Sequence, residues 1–460
     1  MRVVRCFVIL LTVLLTGAGC ATRQAPAVAP AGPAIAPSFT TTDLADRWDR
    51  ERVSWPVPPL IRHADVEARL REVQQATPDL FHLEQIGSSV EGRSINHLWF
   101  GSGPMHVLLW SQMHGDEPTA TSALFDIFEQ FRRHRADAPF ARMLQALTIH
   151  VVPMLNPDGA ERFQRRNAQG IDINRDALRL QTPEGRILKA LRDRINPPIG
   201  FNLHNQNWRT TAGTGGRPAS ISLLSVAFDE ARTESPGRLL TKKTCAIIRT
   251  ALEPLAAGRI GRYDDEFEVR AFGDNLTKWG TSVVLIETGP WPSTDPDPYL
   301  VRLNFVALMA ALDALATGRV EQADPARYES LPINESDLFF LLVRSGTVVP
   351  GTGVAPFLAD VGVVASRTVR IVNGERETRF AARIEDLGDL HTMHALESID
   401  ATGLTVAPLW DAGLKVGDEV TLPDFSAKRA PRVIAQGEPA ELVLLKPQGG
   451  KYRVERIVKY

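Results

Sequence analysis

Cysteine is scarce: the 460 residues hold three, at positions 6, 20 and 245. Two lie in the first twenty residues, so a mature form starting at Cys20 keeps only Cys20 and Cys245, and a disulfide framework is excluded. Cys245 sits in the apolar stretch KKTCAIIRTAL and reads as a buried, inert thiol. Neither sign of charge is in excess. The formal net charge of -2 offers no global field to a polyanion, so no nucleic-acid partner is expected and charge-based recognition must be local. Internal repeats and long like-charged tails are also missing. What remains is a globular composition, 44% hydrophobic and 23% charged. The length suits two domains plus a leader, since single domains run to about 100 to 200 residues.

The first twenty residues, MRVVRCFVILLTVLLTGAGC, place two arginines before an apolar run too short to span a bilayer, the pattern of an export signal. The run ends in GAGC and resembles a bacterial lipoprotein processing site at Cys20, with Gly17 where such sites usually carry leucine. A lipidated Cys20 would anchor the chain to a membrane without spanning it, and simple cleavage with secretion is the alternative. Either way the expectation is an exported, periplasmic or envelope-associated protein. Residues 21–42 form an Ala/Pro-rich, semi-rigid spacer.

From 43 to 318 short apolar runs alternate with amphipathic ones, which predicts an α/β domain: a mixed, mainly parallel sheet flanked by helices. HVLLWSQ (106–112), LTIHVVPML (147–155), IGFNLH (199–204) and SVVLIET (282–288) read as strands buried on both faces. Between the first two, TATSALFDIFEQFRRHR has helical spacing and follows Pro118. From 330 to 460 runs such as LFFLLVRS, VVASRTVRIV, TRFAARIE and DEVTLP, separated by turn residues, predict a smaller all-β domain, with a hairpin turn at VNG before ERETRF.

Each buried strand ends in residues able to do chemistry, where open α/β sheets place their sites. HGDEP (114–118) sets an imidazole and a carboxylate three residues apart on a turn after a strand, able to close on one cation; a plain surface turn is the alternative for that motif alone. His204, at the end of IGFNLHNQN, would by itself be a hydrogen-bonded core histidine. Together, His114, Glu117 and His204 make a set of three ligands that leaves a fourth position open, as in a catalytic rather than a structural zinc site. Zinc brings the pKa of a bound water toward about 7, and a nearby base must still take its proton. Glu287 fits that place, at the end of an apolar strand, with a capping or salt-bridged glutamate as the bland reading. Asn156 closes the second strand. NPDGAERFQRRNAQGIDINRD (156–176) is too polar for core and carries four arginines, suited to gripping a carboxylate through paired hydrogen bonds; a solvated loop with incidental charges is the alternative and the better reading of that segment alone.

HGDEP, NPDG, RRNAQGIDINRD, LH (203–204) and IETG (286–289) occur in the order found in zinc carboxypeptidases related to carboxypeptidases A and B, and IGSSVEGRSI (86–95) resembles the early hairpin of that family. The resemblance covers roughly residues 45–315 and leaves the β domain outside. It implies one Zn2+ per chain held by His114, Glu117 and His204, with Glu287 as catalytic base. It implies Arg165 as the residue that polarises the scissile carbonyl, with Arg166 as its neighbouring competitor, and Asn174 and Arg175 as the grip on the substrate's terminal carboxylate. Tyr263 is the candidate for a tyrosine covering the substrate, and Phe272 to Trp279 for part of the specificity pocket. Asp176 and Ala177 depart from the family's NRN-aromatic pattern, which places Asp176 at the pocket rim. The implied activity is hydrolysis of a peptide bond beside a free carboxylate. The alternatives are a cell-wall peptide or N-acyl amino acid substrate for the same centre, or an inactive surface binding module.

Overall fold

The computed structural model describes residues 34–460 apart from 294, 296, 337, 374 and 426–431, so the leader, Cys20 and most of the spacer lie outside the described residues. Ile35–Tyr460 forms one compact unit. Its first half contains β1 (His82–Ser88), β2 (Ser94–Phe100), β3 (Met105–Ser111), β4 (Leu147–Val152), β5 (Ile199–Asn205), the two-residue β6 (Thr211–Ala212), β7 (Ile221–Ser225), β8 (Ile260–Arg262) and β9 (Ser282–Thr288). Eight of these make a sheet in the order β1-β2-β4-β3-β5-β9-β7-β8. The central four, β4-β3-β5-β9, run parallel, and antiparallel strands border them.

The four strands expected from their apolar runs are the parallel core, and LTIHVVPML stops pairing at Val152 because Pro153 has no amide proton to give the ladder. Alternation divides each strand between two layers. Val107, Leu109, Ile149, Val151, Phe201 and Ile286 face the helices Thr119–His134, Pro236–Ala256 and Asp297–Thr317. Leu108, Trp110, Val152, Val283 and Leu285 face Pro183–Ile195 and Phe272–Lys278. Each large side chain buried this way contributes about 1.5–3 kcal/mol. The early hairpin forms as β1 and β2, paired antiparallel around Gly92 at φ 81°.

Four polar residues cross this sheet in one hydrogen-bonded row. Glu84 Oε1 lies 2.9 Å from His97 Nδ1, His97 Nε2 lies 3.0 Å from His150 Nδ1, and His150 Nε2 lies 2.9 Å from His106 Nδ1. Burial holds His97 below its ordinary pKa, and burial followed by the neighbouring histidines holds His150 down to about 3. Unfolded histidine titrates near 6.5, so the stability gained by keeping these rings neutral is complete above about 6.5 and is lost as pH falls toward the folded values. We expect the melting temperature to drop between pH 7.5 and pH 5 by on the order of 5 °C, with a visibly smaller drop in His150→Gln. Equal drops in both proteins would remove the row as the cause.

The second half comprises β10 (Asn334–Glu335), which pairs with β6, then β11 (Leu338–Val348), β12 (Phe357–Val372), β13 (Glu375–Gly388), β14 (His394–Asp400), β15 (Thr405–Pro408), β16 (Glu419–Val420), β17 (Leu442–Gln448) and β18 (Lys451–Val458). β11 to β18 form a second sheet around their own apolar cluster, including Leu341, Val361, Ile384 and Leu444. The expected hairpin at VNG joins β12 to β13, with Val372 opposite Glu375 and Asn373 at φ 53°, a conformation asparagine tolerates. DEVTLP is strand only at Glu419–Val420.

Candidate metal centre and its cleft

The site gathers at the carboxyl ends of β3, β5 and β9. After Ser111 the chain turns through Gln112, held at φ 46°, and the Gln112 amide donates to the Gly115 carbonyl at 3.1 Å. Gly115 itself is obligatory: a Cβ there would lie 2.0 Å from the backbone carbon of Gly159. Pro118 then precedes the helix Thr119–His134. This local path folds His114 and Glu117 back together, while the parallel register sets His204 beside Glu287.

His114, Glu117 and His204 converge, all three buried, with one ligand atom from each within 4.8 Å of the others. His114 Nδ1 is 2.8 Å from Glu117 Oε1, His204 Nδ1 is 2.6 Å from Glu117 Oε2, and the two Nδ1 atoms are 3.1 Å apart. Ligand atoms around one tetrahedral zinc stand roughly 3.4 Å apart for bonds of about 2.1 Å, so a small adjustment admits the ion. Two imidazole nitrogens that both face one carboxylate and each other cannot all be satisfied by protons, whereas a shared cation satisfies three converging lone pairs. The donor set therefore fits zinc.

Burial opposes ionisation throughout this cluster, and neighbouring charges decide the balance. His114 is raised to about 9 because Glu117 and Asp172 outweigh burial. His204 is lowered, burial being the larger influence there. Glu117 lies well below its usual range because both histidines outweigh burial. Glu287 behaves oppositely: burial first, then the Glu117 carboxylate, push it well above the ordinary range, and its Oε2 is buried without a hydrogen-bond partner among the described residues.

The loop 156–176 supplies the next ring of side chains. Asn156 caps the helix Pro157–Arg162 by accepting from the Gly159 amide at 2.9 Å, and its own amide donates to the Arg165 carbonyl at 3.3 Å, so it shapes the loop from the core. Arg165 and Arg166 separate cleanly. Arg165 donates through Nε to Asp172 at 2.9 Å and brings NH1 to 3.1 Å from His114 Nδ1, whereas Arg166 turns to the Gly170 carbonyl. Arg175 donates to the Asn174 carbonyl at 2.8 Å and pairs with Glu268 at 3.3 Å, and Asn174 Oδ1 accepts from the Phe272 amide at 2.9 Å.

A cavity of about 840 Å3 brings His114, Glu117, Arg165, Asn174, Arg175, Tyr263 and Glu287 onto one surface. Tyr263 is close enough to Glu287 for that carboxylate, together with burial, to push its phenol up to about 12. Gly273 and Asp274 of the expected specificity segment line the same wall, with Ala271 just ahead of that segment. Asp176 does not reach this cavity. It folds inward and accepts from the Gln181 and Thr182 amides at 2.9 and 2.7 Å, because a buried carboxylate at the end of a 3-10 turn is best satisfied by the amides of the chain that follows. The expectation of Asp176 at the rim is corrected accordingly.

Sequence reasoning missed Asp172. Its Oδ1 lies 3.0 Å from His114 Nε2, the arrangement that fixes a ligating imidazole's tautomer and orientation, and its Oδ2 accepts from Arg165. Its position two residues before Asn174, in the GIDINRD run, was the available signal.

The family model described as zinc carboxypeptidase matches residues 66–219, about a third of the chain. His114, Glu117, His204, Arg165, Asp172, Asn174 and Arg175 fall inside it; Tyr263 and Glu287 lie beyond. Carboxypeptidase 2 of Trichophyton rubrum is 28% identical over 249 residues, 48% of this chain and 44% of the relative. Carboxypeptidase E of Caenorhabditis elegans is 32% identical over 134 residues, 25% of this chain and 28% of the relative. The chain thus spans less than half the length of these curated relatives. A solved metallo-carboxypeptidase from Burkholderia cenocepacia aligns with 54% of this chain and 67% of its own at 19% identity and a TM-score of 0.43.

Proposed function

We propose that this protein is a zinc metallocarboxypeptidase that hydrolyses a peptide bond next to a free terminal carboxylate. The observation that carries the reading is the convergence of His114, Glu117 and His204 on one point, with Glu287 in register beside His204. Zinc bound there would act as a Lewis acid and lower the pKa of water. Glu287 accepts the proton lost by the attacking water and returns it to the leaving amine. Arg165 presents its guanidinium beside the ligand cluster, where it can offset charge developing on the scissile carbonyl oxygen. Asp172 keeps the His114 ring in one tautomer. Asn174 and Arg175 receive the terminal carboxylate, and Tyr263 covers the bound residue from the cavity wall. Incubation with peptides of varied C-terminal residue, beside cell-wall peptides, tests the reading: product masses should show loss of one terminal residue, and no product from any of them would refute it.

Arg175→Ala should raise KM by about 10- to 100-fold for substrates with a free C-terminus, with a smaller change in kcat, because a charge-assisted pair contributes roughly 1.5–3 kcal/mol. Equal kinetics in the variant would place the grip elsewhere.

The wall beyond the clamp is acidic, with Glu230, Asp264, Glu266, Glu268 and Asp274 on the same cavity. Glu268 already pairs with Arg175, and burial pushes Asp274 up to about 7. This lining favours a terminal residue carrying an amine, which includes a basic peptide C-terminus and the diamino acids of cell-wall peptides. We expect C-terminal Lys to exceed C-terminal Glu by about tenfold in kcat/KM. The reverse order would reject the cationic preference.

A further inference from the structure

We propose that the β12–β13 hairpin of the C-terminal sheet is a fixed wall of the catalytic cleft, and that it selects substrates by length and bulk on the amino side of the scissile bond. This deepens the peptidase reading and rests on it.

A second cavity, about 460 Å3, adjoins the first. Both are lined by Glu117, Arg165, Asn205, Gln206 and Asn207, so they meet at Glu117 and Arg165, the edge of the ligand cluster. The terminal carboxylate grip, Glu287 and Tyr263 belong to the first cavity alone. A substrate whose terminal residue occupies that side, with its scissile carbonyl near Arg165, must send the rest of its chain into the second. The far wall there comes from the other sheet: Val364 to Arg367 on β12 and Arg383 on β13. A volume of this size suits a small ligand or a few extended residues rather than a folded surface.

The wall is pinned at both ends. Near the hairpin tip, buried Arg376 donates at 2.8 Å to each of the Ile61 and Ala160 carbonyls. In its middle, Arg367 donates to both carboxylate oxygens of buried Asp297, at 2.8 and 2.9 Å, and its guanidinium lies over the Trp208 and Phe380 rings. Further along, Glu385 accepts from Arg209 at 3.0 Å. Charged pairs removed from water are costly to break once formed, so the hairpin holds its place rather than swinging aside. Its reach across the cleft makes the second sheet part of the substrate-binding surface.

Ser366 is exposed and lines this cavity, which makes Ser366→Trp the direct probe. Substrates share one C-terminal residue and lengthen upstream from an N-acyl dipeptide to a hexapeptide. The variant should cleave the acyl dipeptide at a rate within about twofold of the parent and the longer peptides about tenfold less well in kcat/KM. Equal losses at every length, or no loss at any, would overturn the wall while leaving the peptidase reading standing. Failure of the parent protein to cleave even the acyl dipeptide would instead sink the peptidase reading, and the subsite with it. If Ser366→Trp misfolds by circular dichroism, the parent protein is irradiated with a tetrapeptide carrying a photoreactive side chain upstream of the scissile bond. A cross-link within 364–367 or at Arg383 supports the wall, and cross-links confined to residues outside 357–388 reject it.

Discussion

Glu287→Gln should fold normally, keep its zinc and lose activity by about 10²- to 10⁴-fold in kcat, the range supplied by a positioned general acid–base. Two features make this substitution unusually clean. Glu287 sits almost wholly inside the protein, and its Oε2 has no hydrogen-bond partner among the described residues, so an amide of the same shape removes no observed contact there. In the metal-free protein burial and Glu117 hold its carboxyl well above the usual carboxylate range, so removing the ionisable group relieves a cost of folding. The melting temperature of the metal-free variant should therefore stay level or rise, while turnover of the zinc-loaded variant collapses. A structural glutamate would give the opposite pattern, with lower stability and preserved turnover. Activity equal to that of the parent would take Glu287 out of the mechanism.

His204→Ala should lower bound zinc from about one ion per chain to near zero and abolish measurable hydrolysis, since three protein ligands are the minimum of a catalytic site. The effect goes beyond one lost bond. His204 Nδ1 approaches both Glu117 and His114, and the charge on Glu117 is favoured by both histidines against its burial. Removing one histidine leaves a buried carboxylate with less compensation, so Glu117 binds a proton more readily and becomes a poorer ligand. Metal loss should also appear as a lower melting temperature that added zinc does not restore. Retention of stoichiometric zinc and turnover would show that the ligands lie elsewhere.

The parallel core was legible because strands buried on both faces carry continuous apolar runs, and those at 106–112, 147–155, 199–204 and 282–288 stand out from a polar background. His114, Glu117, His204 and Glu287 were legible because each sits where such a run stops. What escaped was set by long-range contact. Whether Arg165 or Arg166 faces the cluster depends on where Asp172 lies in space, and the two are adjacent arginines in a polar loop. Asp176 reads as a rim residue until the amides of Gln181 and Thr182 are seen to wrap it. The histidine row is invisible for the same reason, since His97, His106 and His150 lie on three separate strands and touch only through sheet order. The second sheet could be read as strands and one hairpin turn. Its contribution to the cleft could not, because Arg376 meets Ile61 across 315 positions of sequence.

Whether His114, Glu117 and His204 hold an ion is decided by anomalous diffraction at the zinc edge on crystals of the dialysed protein, alongside metal analysis of the same sample. One zinc per chain is expected, with a single strong anomalous peak within bonding distance of His114 Nδ1, His204 Nδ1 and a Glu117 oxygen. A protein with no retained zinc, or a peak bound by other side chains, would refute that centre.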